Sequence, residues 1–198
     1  MLEAKLADIE KVYPTKDPFD LFETFPEGFS LSKGGLRVVE NGKSARYLVT
    51  LEGDSVTQKI RGKVYRNSGV REGNEKGEDP ESSYEVEYLS GGKLVRIDGG
   101  EVDEAVKEVH FLFERYTLNR DKLSKMKVNY RYLRDNVFFL LYEVEDPILA
   151  DYLDVPDDVV IYLDVEGDSG MISEGRYKTS IFVNSPGKEE VYERVISK

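Results

Sequence analysis

Hydrophobic and polar residues alternate with a period of two along most of this chain and shift to helical spacing in three places. Leu2, Leu6, Ile9 and Val12 predict a short amphipathic helix over 2–12. It ends at Tyr13, because Pro14 disfavours helical backbone in the residue before it. Phe19, Leu21, Phe22, Phe25 and Phe29 then occur without a period. They are too many for a solvated loop, so 14–35 reads as an irregular segment pinned to the core, with one helical turn after Asp17-Pro18.

Strand signals follow. Residues 35–51 form a hairpin around Asn41-Gly42, a pair suited to the two positive-φ positions of a tight turn. Strands are expected at about 55–60 and 62–66, with a bend or bulge at Gly62. Residues 67–82 are acidic and glycine-rich, with Val70 the one aliphatic side chain, and predict a solvated, mobile loop. Further hairpins are expected near 83–98, around Ser90-Gly91-Gly92, and near 126–145, around Asp135-Asn136. Val137 to Tyr142 is apolar on both faces, which predicts a central strand covered on two sides. A helical turn and loop over 148–157 lead to strands at about 158–166 and 176–183.

The other helical stretches are 101–116 and 187–197. In the first, Val102, Ala105, Val106, Val109, Leu112, Phe113 and Tyr116 fall on one stripe, with Asp103 and Glu104 in the first turn favouring the helix dipole. The second opens on Ser185 as a cap and Pro186 at the first position. Strands in runs joined by tight turns predict a single α+β domain over 1–198. It would hold a largely antiparallel sheet of about 7–9 strands backed by helices near 2–12, 101–116 and 187–197. Each half reads as a helix followed by hairpins, so any subdivision would fall at Gly99-Gly100.

Charge changes this picture most. The chain holds 28 bases against 39 acids, a net charge of −11. The segment 135–175 has no base and twelve acids, so the remainder is almost balanced. Because the same segment contains the most apolar run, it is part of the core and not an acidic tail. Abundant Lys and Glu, a single Gln and no Cys match the composition of thermophilic proteins. The absence of Cys excludes disulfides, a thiol nucleophile and thiolate metal sites. The opening residues carry no secretory signal, and no apolar run approaches the ~20 residues of a membrane span, so a soluble cytoplasmic protein is expected.

Candidate chemistry is sparse. Asp164, Glu166 and Asp168 occupy positions 1, 3 and 5 of a calcium-type loop, but Gly170 falls one place late and Gly175 stands where the twelfth-position acid belongs. Alternating acids at a solvated strand end are the plainer reading, and no cofactor is expected. Asp151, Asp154, Asp157 and Asp158 crowd one loop, and Glu143 and Glu145 share a strand face, as paired carboxylates for acid–base chemistry would. His110, the single histidine, lies beside the apolar stripe and reads as a core or boundary residue. The glycine pairs form no phosphate-binding motif.

Arg115, Arg120, Lys122, Lys125, Lys127, Arg131 and Arg134, interleaved with Tyr116, Tyr130 and Tyr132, have the composition of a nucleic-acid surface. The neighbouring strand carries Glu143 and Glu145, so cross-strand pairing would absorb that charge and nucleic acid is not the expected partner. The leading expectation is a non-enzymatic protein that presents Asp146, Asp151, Asp154, Asp157 and Asp158 to a basic protein partner. The alternatives are an Mg²⁺- or Ca²⁺-dependent hydrolase using the same carboxylates, and a small-ligand carrier whose Phe-rich 19–29 segment closes an apolar cavity.

Overall fold

A computed structural model describes residues 7–40, 43–68, 82–134, 137–168 and 176–198. Ten strands form one sheet: β1 (Phe29–Glu40), β2 (Lys43–Asp54), β3 (Lys59–Ser68), β4 (Ser82–Leu89), β5 (Lys93–Arg96), β6 (Lys127–Arg134), β7 (Val137–Val144), β8 (Ile161–Asp168), β9 (Lys178–Asn184) and β10 (Val191–Ser197). The spatial order is β5-β4-β3-β2-β1-β10-β9-β8-β7-β6, and every neighbouring pair is antiparallel. One meander, β1 to β5, runs outwards from the middle, and a second, β6 to β10, runs inwards to it. The two meet at a β1–β10 seam.

The three expected hairpins are present. Their turns at 41–42 and 135–136, residues 2–6 of the first expected helix and most of the 67–82 loop lie outside the described residues. The strand expected at about 55–60 is mostly the turn 55–58, and the one expected at 62–66 belongs to β3, which starts at Lys59 and runs through Gly62 without a break. Among the described residues the sheet has ten strands where about seven to nine were expected, and helix is limited to short pieces: α1 (Leu21–Thr24), α2 (Arg120–Lys125), α3 (Pro147–Leu153) and 3₁₀ turns. The fold is mostly antiparallel sheet, and α+β describes it only coarsely.

Alternation sends one set of side chains to an inner face that carries the core. Leu31, Val49, Val64, Val86, Leu140, Leu163, Val165, Ile181 and Val195 are all buried on it. That face is covered by the 9–25 segment, by 102–123 and by α3, and all of these join one hydrophobic cluster. The expected aromatic anchoring is present: Phe22 packs on Phe29 at 4.9 Å, Phe25 on Tyr177 at 5.3 Å and Phe19 on Tyr88 at 6.0 Å between ring centroids.

Three expectations are corrected. The 101–116 segment is not a helix but an irregular cover with 3₁₀ turns at Glu104–Val106 and Leu112–Glu114. Three valines weaken its helix propensity, and Phe111, Leu112 and Phe113 are all buried, whereas a helix would turn one of three successive residues outwards. Its backbone bonds go elsewhere: Val109 N–H to the Gly92 carbonyl at 2.7 Å, and the Phe113 carbonyl to Thr15 N–H at 2.8 Å.

The 187–197 segment is strand β10 and not a helix. Val191, Glu193, Val195 and Ser197 also fit a period of two, and the open edge of β1 supplies its partner. Finally, β7 lies second from the sheet edge and not at its centre. Its inner set, Phe138, Leu140, Tyr142 and Val144, is in the core, while Val137 on the other face is 46% exposed.

At the seam, Lys33 on β1 stands directly opposite Glu193 on β10, and both point into the core at 6% and 1% exposure. Their charged groups are 3.5 Å apart. Lys33 donates to the His110 carbonyl, and its ammonium lies 4.4 Å from the Tyr152 ring centre. Glu193 Oε1 accepts from Leu112 N–H at 2.5 Å and from the Tyr152 hydroxyl at 2.6 Å. Burial pushes the Glu193 carboxyl up and the Lys33 ammonium down, while each supports the charge of the other. Removing one member leaves a buried charge without its counter-ion. Lys33→Met is therefore expected to cost about 3–5 kcal/mol in denaturant unfolding. Adding Glu193→Gln should restore part of that loss, because the Gln oxygen still accepts from Leu112 and Tyr152 without a charge. No recovery in the double variant would show that packing of the Lys33 stem, and not charge, sets the cost.

Candidate functional site

The acids expected to form a partner surface are mostly committed to internal bases. Asp146 caps α3 through Ile148 N–H at 2.9 Å, pairs with Lys122 at 3.0 Å and accepts from the Tyr116 hydroxyl at 3.2 Å. Lys122 and these hydrogen bonds hold its carboxyl below the usual range despite burial. Asp151 pairs with Arg115 at 2.6 Å, and Asp154 lies 3.7 Å from Lys188. Asp157 and Asp158 are exposed in the turn after α3. Three of the seven bases that resembled a nucleic-acid surface pair with acids of the chain: Arg115 and Lys122 with Asp151 and Asp146, and Lys127 with Glu143 across β6 and β7 at 2.9 Å. His110 sits at the boundary with its ring half-exposed, 3.7 Å from Glu114, and the core uses its carbonyl and not its ring.

The expected metal acids lie on β8. Asp164 and Glu166 share the outer face, and the Asp168 side chain lies outside the described residues. Among the described residues no three His, Cys, Asp or Glu side chains converge to hold a metal. No described helix is long and apolar enough to cross a membrane.

Asp164 nevertheless occupies an unusual position. Ile161, Leu163 and Val165 face the core, so alternation turns Asp164 to the outer face, yet it is only 8% exposed. It lies opposite Phe182 on β9 and Leu141 on β7. Its Oδ1 is buried without a hydrogen-bond partner. Burial, reinforced by Glu166 and Glu190, pushes its carboxyl up to about 7. Burial pushes Glu166 up as well, against the pull of Arg194 and Lys178.

Following this rung across the sheet reveals what surrounds it. Tyr130 on β6 opposes Leu141, Leu141 opposes Asp164, Asp164 opposes Phe182, and Phe182 opposes Tyr192. Tyr192 opposes Gly34 on β1. Beyond an irregularity in β1 between Lys33 and Leu36, the row continues as Leu48 and Tyr65, which oppose each other on β2 and β3. One rung thus crosses eight strands, about 34 Å at ~4.8 Å per strand, and every side chain on it but Asp164 is apolar or aromatic. The adjacent rung is polar from β8 to β4, where Glu166, Ser180, Arg194, Ser32, Thr50, Lys63 and Glu85 oppose one another in turn, and it continues onto β7 and β6 as Phe139 and Tyr132. On the other side, Glu143, Tyr162 and Asn184 form a mostly polar row. Tyr130 is 52% exposed, and the other apolar members are half-buried.

At the Gly34 crossing the row opens into a groove of about 450 Å³, lined by Gly34, Gly35, Tyr47, Leu48, Tyr65 and Tyr192, with Arg46 and Asn67 beside them. Gly34 is needed for close approach: a Cβ there would lie 2.3 Å from the Tyr192 ring. Tyr192 packs on Phe182 at 5.8 Å, which joins the groove to the Asp164 end of the row.

Sequence reasoning flagged Asp164 and Glu166 as acids but missed the row, because its members come from eight strands and only the pairing register lines them up. No family model matches the chain, and no curated protein matches it.

The raised Asp164 value has a definite consequence for stability. Below its ordinary value near 3.8 the carboxyl is protonated in both folded and unfolded chains and costs nothing. From there to about 7 the unfolded chain ionises first, so stability falls as pH rises, and above about 7 the cost is complete. Asp164→Asn is expected to leave stability near pH 4 unchanged and to raise it at pH 8 by on the order of 2 kcal/mol in denaturant unfolding. An equal effect at both pH values would mean that the carboxyl does not titrate in this range.

Proposed function

We propose that this is a non-enzymatic binding protein for a basic protein partner, and that the partner's cationic group docks at Asp164 on the outer face of the sheet. The observation that carries this reading is a nearly buried carboxylate with an unpartnered oxygen in an otherwise apolar row. A row that served packing alone would gain stability from an apolar residue there, since aromatic and aliphatic cross-strand pairs stabilise a sheet and an unpaired buried charge opposes it. An ammonium or guanidinium brought over Asp164 offsets its charge, and the flanking Phe182 and Leu141 supply apolar contact for its stem.

Glu166 and Glu190 add negative potential at the same place, while Arg194 and Lys178 face Glu166. The 146–158 acids fit the role less well, because Asp146, Asp151 and Asp154 already have bases within the chain.

Calorimetric titration with a capped peptide containing phenylalanine and several lysines tests this. Saturable binding is expected at pH 8, weakened about tenfold by Asp164→Asn, the scale of losing one charge-assisted hydrogen bond. Since the ionised carboxyl is the binding form, wild-type affinity should rise with pH and level off above about 7, whereas Asp164→Asn should show no such dependence. A combined Asp151→Asn, Asp157→Asn and Asp158→Asn variant should bind as wild type. Loss in that variant, with Asp164→Asn unaffected, would return the site to the 146–158 surface.

A further inference from the structure

Resting on that reading, we propose that the partner presents an extended polypeptide segment in which a large apolar or aromatic side chain lies four residues from a Lys or Arg. The apolar side chain fills the groove at Gly34, and the cation reaches Asp164.

Two features of the same rung set the spacing. The groove lies where the row crosses β1, and Asp164 lies on β8, three strands away through β10 and β9. Three interstrand steps span about 14 Å. In an extended chain, residues four apart point to the same side and lie about 13 Å apart. A helix places residues four apart only about 6 Å from each other and cannot bridge the two positions.

The groove's character fits the apolar half of such a motif. Its 450 Å³ falls within the ~300–1,000 Å³ typical of ligand pockets, and four of its lining residues are aromatic or aliphatic. The Tyr192 ring lies where a Gly34 Cβ would stand and the Glu190 carbonyl where a Gly35 Cβ would stand, at a φ of +79° for Gly35, so the two glycines fix the floor of the groove by close approach. The adjacent Arg46 pairs with Glu189 at 3.0 Å, a carboxylate it shares with Arg37. Asn67 at the groove's edge has a buried Oδ1 with no hydrogen-bond partner, an acceptor suited to a backbone N–H of the bound segment.

Charge argues against a second copy of this chain as the occupant. Two outer faces meeting about a two-fold axis near Asp164 would bring Asp164, Glu166 and Glu190 of both copies towards each other across an apolar contact, where like charges repel strongly. The bound segment would cross the strands of the sheet, so its affinity would come from the two side-chain positions and not from strand addition.

The test is a set of capped, dye-labelled peptides, one Phe and one Lys on a Ser/Thr background, with the Lys one to six residues after the Phe. Affinity at pH 8 is expected to peak at a separation of four, at least about fivefold above a separation of two, the scale of one aromatic contact. Tyr65→Ala and Asp164→Asn should each weaken the best peptide most and flatten the series, because the optimum at four needs both positions. If Tyr65→Ala does not fold by circular dichroism, the wild-type series alone decides.

Binding that depends on Asp164 but not on separation overturns this inference and leaves the binding function standing. Absence of binding by every peptide overturns both. A dimer in sedimentation that peptides do not dissociate, and that Tyr130→Asp breaks, would assign the row to self-association and overturn this inference.

Discussion

The seam between β1 and β10 determines everything else in this structure, and one ion pair sits at its middle. Within each meander, strands that are consecutive in the chain are neighbours in the sheet. Joining the halves requires residues about 160 positions apart to pair in one register, and Lys33 opposite Glu193 marks that register from inside the core. Neither residue can be moved cheaply. A one-residue slip of β10 would turn Glu193 to the outer face and Arg194 into the core, leaving Lys33 buried without its counter-ion. Ion pairs so deeply buried are weak sources of net stability but effective penalties on wrong arrangements. The same carboxylate holds the N–H of Leu112 and the hydroxyl of Tyr152, so it also fixes the segment and the helix that cover the sheet.

The outer row inherits its alignment from that seam. Tyr192 and Glu193 are adjacent on β10, one facing out and one facing in. The register that places Glu193 against Lys33 therefore also places Tyr192 against Gly34 and Phe182. Core and candidate site are two sides of one pairing, which makes the row rigid and regularly spaced without any loop contributing to it. The spacing argument for a bound segment depends on this, since a site on mobile loops would not hold two contact points at a constant separation.

What could be read from the sequence follows the same division between local and long-range information. Hairpins were legible because turn residues and alternation are neighbours in the chain, as at Ser90-Gly91-Gly92 between β4 and β5. The buried irregular segment from Phe19 to Phe29 was legible from its aromatic content. Helices over 101–116 and 187–197 were misread because valines and acids at three- and four-residue spacing satisfy two periods at once. Tertiary partners decided the matter: β1 offered β10 an open edge, and Glu193 and Gly92 offered acceptors to the 101–116 backbone. The acids of 135–175 were visible as a charge imbalance, but their pairing with Arg115, Lys122 and Lys127 required the fold.

Glu193 and Asp164 show why the outer row reads as a site and not as a second core. Both are carboxylates on central strands of one sheet, both nearly inaccessible, and burial pushes both upwards. Glu193 lies under a cover that supplies a cation, a hydroxyl and an amide N–H, so its cost is offset within the molecule. Asp164 has Phe182 and Leu141 on either side, two further acids near it, and no donor for its Oδ1 among the described residues. Each acid keeps one buried oxygen without a hydrogen bond, Oε2 of Glu193 and Oδ1 of Asp164, but Glu193 has a cation 3.5 Å away and Asp164 has acids as its charged neighbours. The chemistry required is the one Lys33 supplies to Glu193, a cation carried on an apolar stem.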